Sequence, residues 1–128
     1  NQFNFKRPFG VPVRYGDYLK MKSMSNMNFV EFHLSYQDVD LTNPINGQND
    51  FGYSVHAPEL FADDHLLDLG SLDEEYRINS ISNLHRTIET ARNLRKHFNQ
   101  DADPILIVNV GGWSQKGFLK KNEIEMHC

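Results

Sequence analysis

The clearest hydrophobic patterning in the chain is the alternation in residues 29–34, Phe-Val-Glu-Phe-His-Leu. Successive side chains of a β-strand point to opposite faces of its sheet, so Glu31 and His33 share one face with Phe29. The apolar residues between and after them share the other face. The alternation predicts a strand with one apolar face and one face that carries a carboxylate and an imidazole.

Three other apolar runs predict further strands. Residues 11–15 are β-branched and bounded by glycines, residues 52–58 stop at Pro58, and residues 104–110 are almost continuously apolar. The last run, residues 104–110, shows no alternation, which is typical of a strand that is buried on both faces of a parallel sheet.

Two helices are predicted between these strands. Asp17 is a candidate N-cap for a first helix near residues 18–24. A longer amphipathic helix begins at residues 73–75, and the apolar residues of its stripe recur every three or four positions: Ile78, Ile81, Leu84 or His85, Ile88, Ala91, Leu94 and Phe98. Residues 35–50 and 59–72 are rich in turn formers, which predicts irregular loops.

The order strand, helix, strand, loop, strand, helix, strand is that of repeated βα units, which give parallel sheets. We therefore predict an α/β fold, specifically a partial (β/α) barrel of the TIM type with about four parallel strands and helices outside. A complete barrel takes roughly 250 residues, and this chain has 128. We expect residues 1–128 to form a single domain, the N-terminal half of a barrel within a longer polypeptide.

Composition and charge exclude several classes of function. The net charge is -4 and the basic residues are scattered, which argues against nucleic acid as a partner. The single cysteine excludes an internal disulfide, and the sequence has neither a membrane span nor a signal peptide, so we expect a cytoplasmic protein. The sequence has no phosphate-binding loop, dinucleotide fingerprint or CxxC pair, which argues against nucleoside-triphosphate, dinucleotide and zinc-ribbon sites.

Candidate functional residues are those at the C-terminal ends of the predicted strands, because the loops there line one shared mouth. They are Glu31, His33, His56, Glu59, Asn109, Gly111, Gly112 and Trp113. His56 could ligate a divalent metal or shuttle a proton, and a histidine that only packs under the next loop is an equal alternative. Glu31 could act as a general base beside His33 as a second ligand, or form a structural salt bridge with Arg14.

Three further features could contact a substrate. His65 lies in a loop of carboxylates and apolar anchors, which is either a lid or a packed surface loop. Gly111 and Gly112 permit a close approach to the backbone, and Trp113 could stack on a sugar ring. The alternative for the two glycines is an ordinary turn.

Two phrases in the sequence carry a resemblance to a known family. Residues 53–60 (Tyr-Ser-Val-His-Ala-Pro-Glu-Leu) and 68–71 (Asp-Leu-Gly-Ser) resemble the second-to-third-strand region of the xylose isomerase-like and endonuclease IV-like barrels. Together with the helix after residue 74 and residues 107–112, the likeness covers about half of the chain. Residues 56–61 with 64–68 also resemble barrel domains appended to enzymes of bacterial sialic-acid-like sugar biosynthesis.

The resemblance implies a sugar or sugar-phosphate isomerase or epimerase. It places His56 at the family's first metal-binding histidine, with zinc or manganese as the ion. For an isomerase or epimerase reaction, we take Glu31, His56 and Glu59 as the catalytic candidates. The substrate-binding candidates are His33, His65, Asn109, Gly111, Gly112 and Trp113. The family's endonucleases have a histidine where this chain has Asn109, which weakens the metal cluster and the nuclease chemistry.

Two alternatives to the isomerase remain at this stage. One is a barrel domain that binds a sugar or a partner without catalysis, and the other is a metal-dependent endonuclease acting on abasic DNA. Because half a barrel exposes strand edges and apolar surface, we also expect either a homo-oligomer or association with the rest of a parent polypeptide.

Overall fold

The computed structural model describes residues 2–99 and 101–110, so the predictions for Gly111, Gly112 and Trp113 lie outside the described residues. The elements in chain order are β1 (Gly10–Val13), α1 (Tyr18–Met24), β2 (Phe29–His33), β3 (Gly52–His56), α2 (Glu74–Leu94) and β4 (Ile105–Ile107). Single 3₁₀ turns lie at Ala62–Asp64 and Arg95–His97.

The four strands form one sheet in the order β1-β2-β3-β4, and each neighbouring pair is parallel. The predicted α/β class with four parallel strands is confirmed. Every connection advances by one strand in the same direction, and right-handed crossovers then place all connecting segments on one face of the sheet. Sequential order of this kind is also the order of strands in a β/α barrel.

One face of the sheet forms the main core. Phe32 and Val55 lie in register with Val13, and Val30 lies in register with Tyr53; all five are at most 2% exposed. Aromatic residues, Ala91 and Leu94 cover this face from the helices and loops. The opposite side, which we call the open face, carries Gly10, Phe29 and Gly52 in one register row, Pro12, Glu31, Ser54 and Ile105 in the next, and His33, His56 and Ile107 in the last.

Helix α2 begins as predicted and buries Ala91 and Leu94 of the predicted stripe, but the isoleucines of its first half are exposed. Asp73 caps it by accepting a hydrogen bond from the Tyr76 amide at 3.0 Å. Within the predicted stripe, Ile78 and Ile81 are 58% and 40% exposed. The buried positions of the helix are Ser80, Asn83, Thr87, Thr90, Ala91 and Leu94.

The buried polar residues of α2 bind the loops that follow β2 and β3. The Ser80 hydroxyl accepts a hydrogen bond from the Asp68 amide at 3.1 Å, and the Thr90 hydroxyl accepts one from the Asp40 amide at 3.2 Å. Irregular loops leave backbone amides without ladder partners, and buried amides need acceptors. Polar side chains on this side of the helix meet that requirement.

Two smaller differences from the sequence-based expectation concern β4 and Asp17. Ile105 of β4 is 64% exposed, so this strand is not buried on both faces; it is an edge strand of the described sheet. Asp17 occupies the predicted N-cap position of α1, but its side chain makes no capping hydrogen bond; its carboxylate accepts a hydrogen bond from the Arg14 amide at 2.7 Å. The loop from residue 34 to 51 is irregular as predicted.

Among the described residues, no helix combines the length and the apolar character that a membrane crossing requires.

Candidate metal centre

Glu31, His33 and His56 converge at the C-terminal edge of the open face. The two-residue spacing on β2 points Glu31 and His33 to the same side, and the strand register pairs His33 with His56. The two imidazole ring centroids are 4.7 Å apart. The sequence predicted a wider convergence that included Glu59 and Asn109; the structure brings Glu31, His33 and His56 together.

The Glu31 carboxylate lies between the two imidazoles. Its Oε1 atom is 2.6 Å from Nε2 of His33 and 3.6 Å from Nδ1 of His56. The Ser54 hydroxyl donates a long hydrogen bond of 3.5 Å to Oε2 of the same carboxylate. The alternative salt bridge from Glu31 to Arg14 is not among the ion pairs of the described residues.

The three side chains fit a divalent metal ion. One ligand atom from each lies within 4.8 Å of the other two. Two ligands of a zinc ion, each bonded at about 2 Å, lie at most about 4 Å apart, so small rotamer changes would bring the set onto one ion. Two imidazoles and one carboxylate are a common donor set for zinc and for other transition metals.

His56 supplies a second observation that fits a metal ligand. Its Nδ1 atom is buried and has no hydrogen-bond partner among the described residues. Buried polar atoms are normally paired, and a cation held between His56 and Glu31 would satisfy this nitrogen. The side chains of His33, Glu31 and His56 are 41%, 30% and 25% exposed, so the site is accessible from solvent.

A recess on the open face adjoins the triad. It has a volume of about 370 Å³ and is lined by Gly10, Val11, Pro12, Phe29, Glu31 and His33. Two of the three candidate ligands therefore form part of its wall, and a small molecule in the recess could contact a cation held there.

Glu59 and Asn109 form a second polar pair, at the ends of β3 and β4. The Asn109 amide nitrogen donates a hydrogen bond to Oε1 of Glu59, and both residues are exposed. Asn109 is not a member of the candidate metal cluster found among the described residues. The pair holds Glu59 at the same edge of the sheet as the triad.

His65 lies inside the loop that follows β3. It is 8% exposed, its Nε2 atom is 2.8 Å from the Ser80 hydroxyl, and its ring centroid is 4.1 Å from that of Tyr76. These contacts join the loop to α2. The role of His65 in substrate binding stays a prediction.

Ser54 is the residue near the triad that sequence reasoning missed. The signal was present, because Ser54 and His56 are two residues apart on β3 and must share a face. The register then places Ser54 beside Glu31. An alternation test applied to β3 as well as to β2 would have found it.

The position of β4 explains why its end contributes no ligand to the triad. The strand pairs with β3 only from Ile105 to Ile107, so Asn109 lies beyond the last paired residue.

Comparisons of the chain with protein-family models, with curated proteins and with solved structures found no match.

Proposed function

We propose that this chain carries the metal-binding part of a sugar or sugar-phosphate isomerase or epimerase, with zinc or manganese held by Glu31, His33 and His56. The observation that carries the proposal is the convergence of three ligand atoms within 4.8 Å at the C-terminal edge of a parallel sheet. Active sites of β/α barrels lie at that edge. The likeness of residues 53–60 and 68–71 to xylose isomerase-like barrels supports the same reaction class.

In the proposed reaction some residues bind the metal ion and a different residue transfers the proton. A bound divalent cation would polarise a substrate carbonyl and stabilise the negative charge that develops on its oxygen. The His33 imidazole and the Ser54 hydroxyl hold the Glu31 carboxylate in position. A carboxylate engaged in ligation is a poor base, so proton transfer falls to a different group.

Glu59 is the carboxylate we assign to proton transfer. It is exposed at the mouth, and the Asn109 amide holds its Oε1 atom. A carboxylate that is oriented by one hydrogen bond and reached by solvent can take a proton from the carbon next to a carbonyl and return it. His56 would then serve as a ligand and not as the base.

Deuterium exchange with a panel of sugars tests the proposal. The chain is incubated in D₂O with zinc or manganese and a set of aldoses, ketoses, their phosphates and a nonulosonate. Isomerases and epimerases that act by proton transfer to a base, as proposed for Glu59, exchange the hydrogen next to the carbonyl with solvent, which NMR detects. Glu59→Gln should lower the exchange rate at least about a hundredfold, whereas Glu89→Gln, on the exposed side of α2, should leave it unchanged.

A barrel domain that binds a sugar or a partner without catalysis is the second candidate. It is favoured by Asn109, which stands where the related endonucleases place a metal-ligating histidine and which instead bonds to Glu59. Calorimetry on the same panel separates the two candidates. A sugar that binds the metal-loaded chain but undergoes no exchange supports the binding domain and contradicts the isomerase.

A further inference from the structure

The two oxygen atoms of the Glu31 carboxylate have different neighbours. Oε1 is 2.6 Å from Nε2 of His33 and 3.6 Å from Nδ1 of His56. Oε2 accepts the hydrogen bond from the Ser54 hydroxyl, at 3.5 Å. A cation ligated by both imidazoles would therefore meet Oε1, while the hydroxyl stays on Oε2.

Ser54 is fixed beside this carboxylate by the sheet itself. The register pairs Ser54 directly with Glu31 on β2, and Ser54 is only 3% exposed. A buried hydroxyl needs a hydrogen-bond partner within the protein, because water does not reach it. The bond to Oε2 meets that need, so the hydroxyl remains next to the carboxylate when a cation binds on the other side.

The number of carboxylate oxygens that reach the ion affects which ion the site prefers. Zinc is usually tetrahedral, with nitrogen, sulfur or single oxygen ligands. Manganese prefers six ligands that are mostly oxygens. A carboxylate that is free to turn both oxygens to the ion adds an oxygen ligand without another residue, which benefits manganese more than zinc.

We propose that Ser54 is a positioning residue that keeps Glu31 a one-oxygen ligand and thereby favours zinc over manganese in this site. The inference rests on the metal site of the proposed function, and it does not depend on the isomerase step. It concerns the binding mode of Glu31 alone, so it is independent of any further groups that complete the coordination of the ion.

Ser54→Ala removes the hydroxyl and leaves all three ligands in place. Glu31 is 30% exposed, so water can solvate the freed Oε2 atom in the metal-free chain, and the fold should persist. Loss of a residue that orients a ligand weakens metal affinity by about 10- to 100-fold, and we expect the zinc Kd to rise by that factor. The manganese Kd should stay the same or fall, because Oε2 becomes available to the ion.

Competition titrations with a chromophoric chelator measure both dissociation constants. The ratio of the manganese Kd to the zinc Kd should fall at least about tenfold in Ser54→Ala. Ser82→Ala, on the exposed side of α2, is the control and should leave the ratio unchanged. Ser54→Thr keeps a hydroxyl at the same position and should retain the wild-type ratio.

X-ray absorption on the manganese-loaded proteins provides a readout that a merely structural role of Ser54 would not change. The distance from the metal to the carboxylate carbon is shorter when both oxygens bind, and we expect it to shorten in Ser54→Ala only. An unchanged distance or an unchanged Kd ratio in Ser54→Ala would overturn the inference and leave the proposed function intact. A wild-type chain that binds neither ion would overturn both. The expected Ser54 effects without any exchange of substrate hydrogen would contradict the isomerase alone.

Discussion

Replacement of His56 by alanine should remove metal binding with little effect on the stability of the fold. The Nδ1 atom of His56 has no hydrogen-bond partner among the described residues, and its neighbour Glu31 keeps its contact with His33. The substitution therefore leaves no newly unpaired buried group, which is the usual source of a large loss of stability. We expect the free energy of unfolding of the metal-free chain to fall by only about 1 kcal/mol.

Metal binding should respond much more strongly. Loss of a residue that merely orients a ligand weakens metal affinity by about 10- to 100-fold, so loss of a direct ligand should cost at least about 100-fold. At a zinc concentration of about 100 times the wild-type Kd, the wild-type chain gains about 2.7 kcal/mol of stability, and the variant gains about 0.4 kcal/mol. For a domain of this size that difference corresponds to roughly 10 °C in Tm.

Thermal melts with and without zinc measure both quantities. His85→Ala is the control, because His85 is exposed on α2 and lies outside the triad. We expect the zinc-induced rise in Tm in the wild type and in His85→Ala, and its near-complete loss in His56→Ala. An equal rise in all three proteins would refute the assignment of His56 as a ligand.

Two further predictions concern the stability of the fold. Burial raises the pKa of Tyr53 to about 12 from an ordinary 10.0, so the native state holds this proton more tightly than the unfolded chain. Stability should fall as the pH rises from about 10 to 12, and Tyr53→Phe should reduce that slope in urea unfolding, because it removes the titrating group; an unaltered slope would contradict the assignment. His65→Ala removes the contacts with Ser80 and Tyr76 and should lower the free energy of unfolding by about 2 kcal/mol without a change in zinc affinity. Weaker sugar binding at unchanged stability would instead support the predicted substrate role of His65.

The triad could be predicted from the sequence because it depends only on local rules. Period-two alternation puts Glu31 and His33 on one face, and parallel strands that end together bring His56 beside them. Neither step depends on how the helices pack. The exact partner of Glu31 was beyond these rules, since alternation does not fix the register of β1 against β2 and so does not place Arg14.

The buried side of α2 could be predicted only in part, at Ala91 and Leu94. Periodicity identifies the most apolar stripe of a helix, and here that stripe contains Ile78 and Ile81, which are exposed. The side that packs inward is chosen by what lies beneath it, and beneath α2 lie irregular loops with backbone amides to satisfy. The hydrophobic pattern of a helix contains no information about which loop amides need hydrogen-bond acceptors.

The same polar residues of α2 connect the helix to the functional edge of the sheet. The loop that leaves β3 carries Glu59 and His65, and it is held to α2 where the Ser80 hydroxyl meets His65 and the Asp68 amide. Thr90 holds the loop that leaves β2 in the corresponding way, through the Asp40 amide. An isoleucine at position 80 would remove the acceptor of the buried Asp68 amide, and one at position 90 would remove the acceptor of the part-buried Asp40 amide. Either change would loosen a loop that leaves the functional edge of the sheet. Polar residues on the inner side of α2 are therefore what allows two long loops to pack beside the triad in fixed positions, and the displaced isoleucines are left on the outer side of the helix.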